Sequence, residues 1–502
     1  AMGETPISAA VRERMDAWLA KGLKHFIDGK FVDSASGETF SVPNPATGQE
    51  LTRCALGGKE EIDLAVKAAR RAFKTWGRMA PAERGKLLRR WAQLMIEHKD
   101  ELNYLECMDV GRPIREGIHG YIERVAHNIQ FFADLAEKYY DEAFVLPGYT
   151  FYTNRQPVGV AGLITPWNMP QMLSTWKIGP ALAAGNTVVL KPAELTPVGC
   201  TRLAELAAEA GIPDGVFNVV HGFGPDSAGA FLTQHPDVQL ISFTGETTTG
   251  KVIMAAGAPT LKRVSFELGG KGNNIVFADA DLEKAMDVTM RAAFYNQGEV
   301  CLAGSRVFVE KPIYDQFVDM LVARVKALRM GDPLDMETTL GPVISAEHRE
   351  RVMGFVERAK AQGVECLTGG HLAQGLPAPY DGGYFIAPTV FAAPDPSVEL
   401  VQEEVFGPVV SVTPFTDDEW VLEVINSGRY GLSSVVQGKD ISRLHRMAQR
   451  LQSGNVWINS WFVRDLRVPF GGMKDSGIGR EGGMHSLDFY TELQTIGFPT
   501  AK

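Results

Sequence analysis

The 502-residue sequence predicts an α/β protein in which short apolar strands alternate with helices to build parallel sheets. Two observations carry that expectation. From Val158 onward, GVAGLI, NTVVLK, GVFNVV, VQLISFTG and RVSFEL are short β-branched runs. Between them lie helical stretches at Met169–Ala184, Val198–Ala210, Asp226–Thr233 and Lys251–Ala256, joined by short links, as in βαβ units with a sheet covered on both faces. A second series starts at Asn273 with NIVFAD, a helix over Leu282–Tyr295, SRVFVE, a long helix over Ile313–Leu328 and further strands toward TVFAAP. The change of series puts a domain boundary near Leu268–Gly272, and the length suits two or three domains.

The elements ahead of the first series follow from local pattern. HFIDGKFVD, His25–Asp33, reads as a hairpin turning at Asp28-Gly29. Lys59–Trp76 and Ala82–Leu105 read as amphipathic helices, with Leu87, Leu88, Trp91 and Met95 at helical spacing. A third helix is expected over Ile122–Tyr140, ended by Pro147-Gly148. Tyr149–Val160 then alternates aromatic and polar residues like a strand, polar enough on one face to lie at an edge or against another subunit. The tail Asp488–Gly497 reads as a closing strand. There is no internal repeat and no low-complexity segment.

Composition narrows the class. Hydrophobic residues make up 45 % and charged residues 22 %, ordinary for a globular protein. The net charge of −10 and the absence of basic runs give nucleic-acid binding no electrostatic support. No apolar run is long enough to cross a membrane, and no leader pattern opens the chain. Five scattered cysteines without a C-x-x-C pair argue against a disulfide framework or a zinc site, which leaves a reducing cytoplasm as the default expectation.

Chemistry concentrates in a few segments. NQGEVCLAGSR places Cys301 among small and polar residues after a helix, and FELGGK puts Glu267 at a strand end before two glycines. A thiolate nucleophile and a base that later activates water are the two groups that a covalent thioester route needs. ITPWNMP places Asn168 at a strand end, able to donate to an oxyanion or to cap the following helix. VVLKPAE sets Lys191 and Glu194 past the next strand, where they could hold hydroxyls or phosphate of a nucleotide. FTGETTTG opens a helix with Gly245 and Gly250, which let backbone approach a pyrophosphate, while Glu246 between them repels one.

These segments, with EEVFGP (Glu403–Pro408) and PFGGMKDSGIGRE (Pro469–Glu481), occur in one order along nearly the whole chain. Together they resemble the NAD(P)-dependent aldehyde dehydrogenase superfamily. The resemblance implies a Rossmann-like cofactor domain over residues 1–147 and 159–267, a second α/β catalytic domain over 268–480, and a small β oligomerisation element from 148–158 and 485–502. It implies Cys301 as nucleophile, Glu267 as general base, and Asn168 with the Cys301 backbone N–H as oxyanion hole. It implies that Lys191, Glu194 and Glu404 hold the cofactor's riboses and that Trp167, Gly224, Gly245, Glu246, Leu268 and Phe406 line the rest of its cleft. Glu246 departs from the serine of many members. Glu194 favours NAD over NADP, because a carboxylate at ribose hydroxyls repels a 2′-phosphate. Homodimers or homotetramers are implied, with Arg263, Arg480 and Glu492 as a charged network near the subunit interface.

The substrate is a small aldehyde on the same grounds, and two arginines narrow its class. Arg464 in WFVRDLRVPFGG and Arg124 in YIERVAHNIQFFAD match positions that grip a substrate carboxylate in the subgroup oxidising 5-carboxymethyl-2-hydroxymuconate, 2-hydroxymuconate and 2-aminomuconate semialdehydes. Structural ion pairs with Asp465 and Glu123 are the competing reading. A betaine-aldehyde-type or broad-specificity enzyme stays open, with Trp176 and Trp461 as an aromatic site for a cation.

Overall fold

The computed structural model describes residues 3–500 and contains two large parallel sheets and one small antiparallel sheet. Five parallel strands form the heart of the first sheet, in the spatial order Phe217–Val219, Thr187–Lys191, Val160–Ile164, Leu240–Thr244 and Arg263–Glu267. Each is buried along nearly its whole length, as β-branched strands between two helical layers must be. The strand order reverses between Val160–Ile164 and Leu240–Thr244, and the crevice outside the carboxyl ends at such a reversal is where doubly wound sheets bind ligands. The predicted hairpin is present as His25–Ile27 against Lys30–Val32 and extends this sheet. So does Gly477–Ile478, antiparallel to Phe266 and Glu267, which ties the late segment PFGGMKDSGIGRE to the carboxylate strand.

The second sheet orders Glu365–Thr368, Thr389–Ala392, Val409–Phe415, Arg306–Glu310, Asn273–Val276, Ser433–Gln437 and Asn455–Ile458, all parallel except the first. Its core is apolar, with Val276, Val307, Val309, Val410 and Val412 fully buried under the helices Leu282–Phe294 and Lys311–Lys326.

Four expectations need correction. The helix expected over Ala82–Leu105 is two, Pro81–Glu97 and Lys99–Val110, turning at His98 with φ −107° and ψ 23°. Every residue from Glu101 to Val110 is buried, so the second helix enters the core instead of continuing along the surface, and no Gly or Pro marks the break. The helix expected to reach Tyr140 stops at Leu135, and a strand not foreseen, Ala143–Leu146, follows it. The tail forms the helix Gly483–Phe489 before the strand Thr491–Pro499, and residues 501–502 lie outside the described residues. Tyr149–Pro157 is the middle strand of the small sheet, between Ala143–Leu146 and Thr491–Pro499, and not an edge.

Candidate active site

Three chain segments converge at the reversal in the first sheet. The strand Val160–Ile164 runs through Trp167 and Asn168 into the helix Pro170–Ala183, Arg263–Glu267 ends on Glu267, and the helix Leu282–Phe294 passes through a tight turn to Cys301. In that turn Asn296 (φ 51°, ψ 39°) and Gln297 (φ 60°, ψ 24°) are both left-handed, a strained choice for side chains with a Cβ. Buried hydrogen bonds hold it: Asn296 N donates to Glu116 Oε2 at 2.9 Å, and Asn296 Nδ2 donates to Asn168 O at 3.0 Å and Glu299 O at 3.1 Å. The glycines of FELGGK serve close approach, not a turn. A Cβ on Gly269 would stand 2.9 Å from Glu404 Oε1 and one on Gly270 2.7 Å from Cys301 O, and at Gly272, just past the motif, one would lie 2.0 Å from Ala303 O.

Cys301, Glu267 and Asn168 line one cavity. Asn168 does not cap its helix, whose N-cap is Met169. Its Nδ2 donates to Glu299 O at 3.1 Å, which orients the amide and leaves a second N–H without a protein acceptor. Both carboxylate oxygens of Glu267 are buried without a hydrogen-bond partner. Burial, and then the neighbouring Glu481 carboxylate, push its pKa well above the usual range. Burial, then Glu267 and Glu404, push the Cys301 thiol up to about 12, against the backbone N–H groups of Cys301 and Leu302 that favour the thiolate.

A thiol pushed that high rests protonated at neutral pH and ionises as pH rises. Alkylation of Cys301 by iodoacetamide, followed by mass spectrometry, should therefore be slow at neutral pH and accelerate up the alkaline range. Glu267→Gln removes a charge that holds the thiol up, so the variant should be alkylated faster at equal pH. A slower rate would instead show Glu267 taking the thiol proton in the resting protein.

Arg124 and Arg464 reach the same cavity beside Trp176, their guanidinium carbons 5.7 Å and 5.1 Å from the centre of its ring. Neither forms the ion pair that the competing reading required. Asp465 pairs with Arg467 at 2.7 Å, and Glu123 faces Lys99 at 3.9 Å. Burial and the nearby Arg464 charge push Arg124 down to about 10. Arg464 gives one hydrogen bond, Nη1 to Val468 O at 3.3 Å, and its Nη2 is buried without a partner. Trp461 is no part of a cation site: it is 2 % exposed and its indole N–H donates to Leu302 O at 2.9 Å.

Of the residues expected around a cofactor, Lys191 ends a strand of the first sheet, and Trp167, Gly245 and Leu268 follow others. Glu404 is held by Gly270 N at 2.7 Å, and burial pushes its pKa to about 7. Trp167 and Phe406 meet edge to face at 5.3 Å, Phe406 with a left-handed φ of 61°. Lys191 donates to Gly222 O at 3.0 Å and lies 3.6 Å from Glu194. Gly245 N donates to Glu267 O at 3.0 Å, and a Cβ there would strike the Phe243 ring at 2.4 Å. A Cβ on Gly250 would press on Leu268 at 2.7 Å, whereas around Gly224 there is open space. Glu246 is the exposed N-cap residue of Thr247–Gly257, so its carboxylate can turn to solvent from that helix end. A nucleotide fits this set: a helix N-terminus, an ammonium, aromatic walls and two carboxylates for ribose hydroxyls.

The model of the aldehyde dehydrogenase family matches residues 31–496. The chain belongs to that family. It is 49 % identical over 482 residues to the 2-hydroxymuconic semialdehyde dehydrogenase of Pseudomonas sp. strain CF600, covering 95 % of this chain and 99 % of the relative. Among solved structures, HpcC of Thermus thermophilus superposes with a TM-score of 0.95 at 47 % identity, covering 98 % of this chain and 96 % of that one. The NAD+ complex of an aldehyde dehydrogenase from Bacillus cereus gives 0.95 at 41 % identity with full coverage of both chains.

Several residues of this aldehyde dehydrogenase escaped the sequence reading. Lys177 is fully buried and donates to Ser242 Oγ at 2.8 Å and to Glu481 Oε1 at 3.2 Å, so a charged chain runs from the cavity wall at Glu481 into the sheet. In the sequence Lys177 is one cation within an apolar helix and Glu481 one carboxylate in a glycine-rich tail. His348 donates through Nε2 to Phe406 O at 2.6 Å, and its ring packs on Trp167. Burial pushes it down to about 4, so it stays neutral in its cleft wall. The network expected among Arg263, Arg480 and Glu492 does not form within the chain. Arg263 donates to the backbone oxygens of Thr491 and Asp488, and Arg480 to those of Gly472 and Gly479.

Proposed function

We propose that this aldehyde dehydrogenase oxidises a carboxylate-bearing, muconic-type semialdehyde to the acid with NAD, by way of a thioester on Cys301. The observation that carries the substrate class is the pair Arg124 and Arg464: two guanidiniums facing the nucleophile's cavity with no carboxylate of the described residues in ion-pair range. Buried unpaired cations are costly unless an anion meets them, and a planar guanidinium suits a carboxylate. A cationic betaine-type aldehyde would meet both charges beside Trp176, which argues against the second reading.

In this reading the Cys301 thiolate adds to the aldehyde carbonyl. The free N–H of Asn168 and the Cys301 backbone N–H take the oxyanion. Lys191, Glu194, Glu404 and the Trp167–Phe406 walls would hold NAD, which would supply the hydride acceptor. Two-electron oxidation of the adduct leaves a thioester, and Glu267 takes a proton from the water that hydrolyses it. Glu194 sets NAD above NADP. The residue ranges around the three sheets, 1–147 with 159–267, 268–480, and 148–158 with 485–502, serve as the cofactor, catalytic and subunit-bridging parts. The last, with the adjoining strand Ala143–Leu146 of the same small sheet, presents the exposed Phe144, Val145, Leu146 and Leu493, an apolar surface suited to a dimer or tetramer contact. No helix of the described residues is long and apolar enough to cross a membrane, and the five cysteines are unpaired, as a reducing cytoplasm would keep them.

The test compares adipate semialdehyde with hexanal, equal in length and differing in the distal carboxylate. Arg464→Ala should lower kcat/KM for the first by roughly 100-fold more than for the second, mostly through KM. Equal losses on both would remove the carboxylate from the reading.

A further inference from the structure

The helix Tyr121–Leu135 carries Arg124 into the cavity, and its packing shows how that guanidinium is aimed. Asn128, one helical turn on, is fully buried. Its Nδ2 donates to Met172 O at 3.0 Å and to Thr175 Oγ1 at 3.2 Å, both on the helix Pro170–Ala183. Its Oδ1 accepts from Arg124 Nε at 2.8 Å. The amide has one possible orientation: Met172 O can only accept and a guanidinium can only donate, so the nitrogen must face one and the oxygen the other. The two helices touch closely here, since a Cβ on Gly179 would lie 2.6 Å from Asn128 O.

We infer that Asn128 is a positioning residue for the substrate carboxylate, acting through Arg124. The inference rests on the carboxylate reading above and extends it to a residue that never meets the substrate. Arg124 has no other side-chain hydrogen bond, and beyond that bond only the Trp176 face steadies it. Tying Nε to a neutral oxygen fixes the plane of the guanidinium and leaves the Nη donors of this cavity-lining residue unused. Neutrality is the point of the choice. A carboxylate at position 128 would give a stronger bond to Arg124, cancel its charge and present an acceptor to Met172 O, leaving the incoming anion a weaker partner. An amide orients the cation without competing for it.

The experiment measures kcat and KM of Asn128→Ala, Asn128→Asp, Arg124→Ala and Arg464→Ala on adipate semialdehyde and hexanal, with melting temperatures of all variants. The expected result for Asn128→Ala is a fall of about 10-fold in the ratio of kcat/KM between the two aldehydes, carried by KM. Asn128→Asp should lower that ratio further, although it retains the bond to Arg124. If the arginine variants lower the ratio and neither Asn128 variant does, the positioning role is overturned while the carboxylate reading stands. If the arginine variants leave the ratio intact, the carboxylate reading itself has failed. If Asn128→Ala does not fold, Asn128→Asp decides alone: a ratio no lower than that of the unsubstituted enzyme overturns the inference.

Discussion

Cys301→Ala should abolish NADH production, a loss of at least about a thousandfold, with the melting temperature little changed. The size follows from chemistry: without sulfur there is no adduct to oxidise, and no other cysteine can substitute. Cys54, Cys107 and Cys200 are buried away from the cavity, and Cys366 lies on an edge strand of the second sheet. Stability should hold because the strained turn before Cys301 is carried by Asn296 and its partners, none of which hydrogen-bonds to the thiol. A continuous assay with adipate semialdehyde and NAD measures the first part and thermal unfolding the second. Turnover near that of the unsubstituted enzyme would end the thioester mechanism.

Glu267→Gln should separate the two halves of the reaction. Rapid mixing is expected to give a burst of NADH close to the concentration of active sites, then a steady rate lower by roughly 100-fold to 10,000-fold. Of the protein's own groups acylation uses Cys301 and its oxyanion donors, with NAD as hydride acceptor, whereas hydrolysis needs a base, and the amide of glutamine cannot accept the water's proton. With Glu481 the other acidic side chain among the cavity-lining residues, the variant has one candidate substitute, and Lys177 already binds it. Steady turnover without a burst would mean that acylation had become limiting and that Glu267 acts earlier than proposed. Unchanged steady turnover would exclude it as the base.

Much of this architecture is legible in the chain because local and long-range signals coincide. The strands of the first sheet are β-branched and buried on both faces, so NTVVLK and VQLISFTG read as strands without knowledge of their neighbours. The hairpin at Asp28-Gly29 follows from its turn pair. The path at His98 was hidden, because hydrophobic spacing continues through a bend that only tertiary packing requires. In the site, Cys301, Glu267, Asn168, Arg124 and Arg464 share a cavity, as the motifs suggested, but the reason for the glycines in FELGGK was different. A Gly-Gly pair looks like a turn in a sequence, and its closeness to Cys301 O comes from a second sheet that no local pattern announces. Lys177 and Asn128 were invisible for a related reason: each draws its meaning from partners on other elements.

Two guanidiniums beside Trp176 each raise the free energy of the other in the resting protein, and burial adds to the cost. A fold selected for robustness alone would place apolar side chains there, continuous with Met172 and Phe470. The pair thus marks a point of conflict between durability and discrimination. Substitutions that harden this wall of the cavity will widen the range of aldehydes admitted, and an engineer seeking a heat-resistant catalyst should leave it alone.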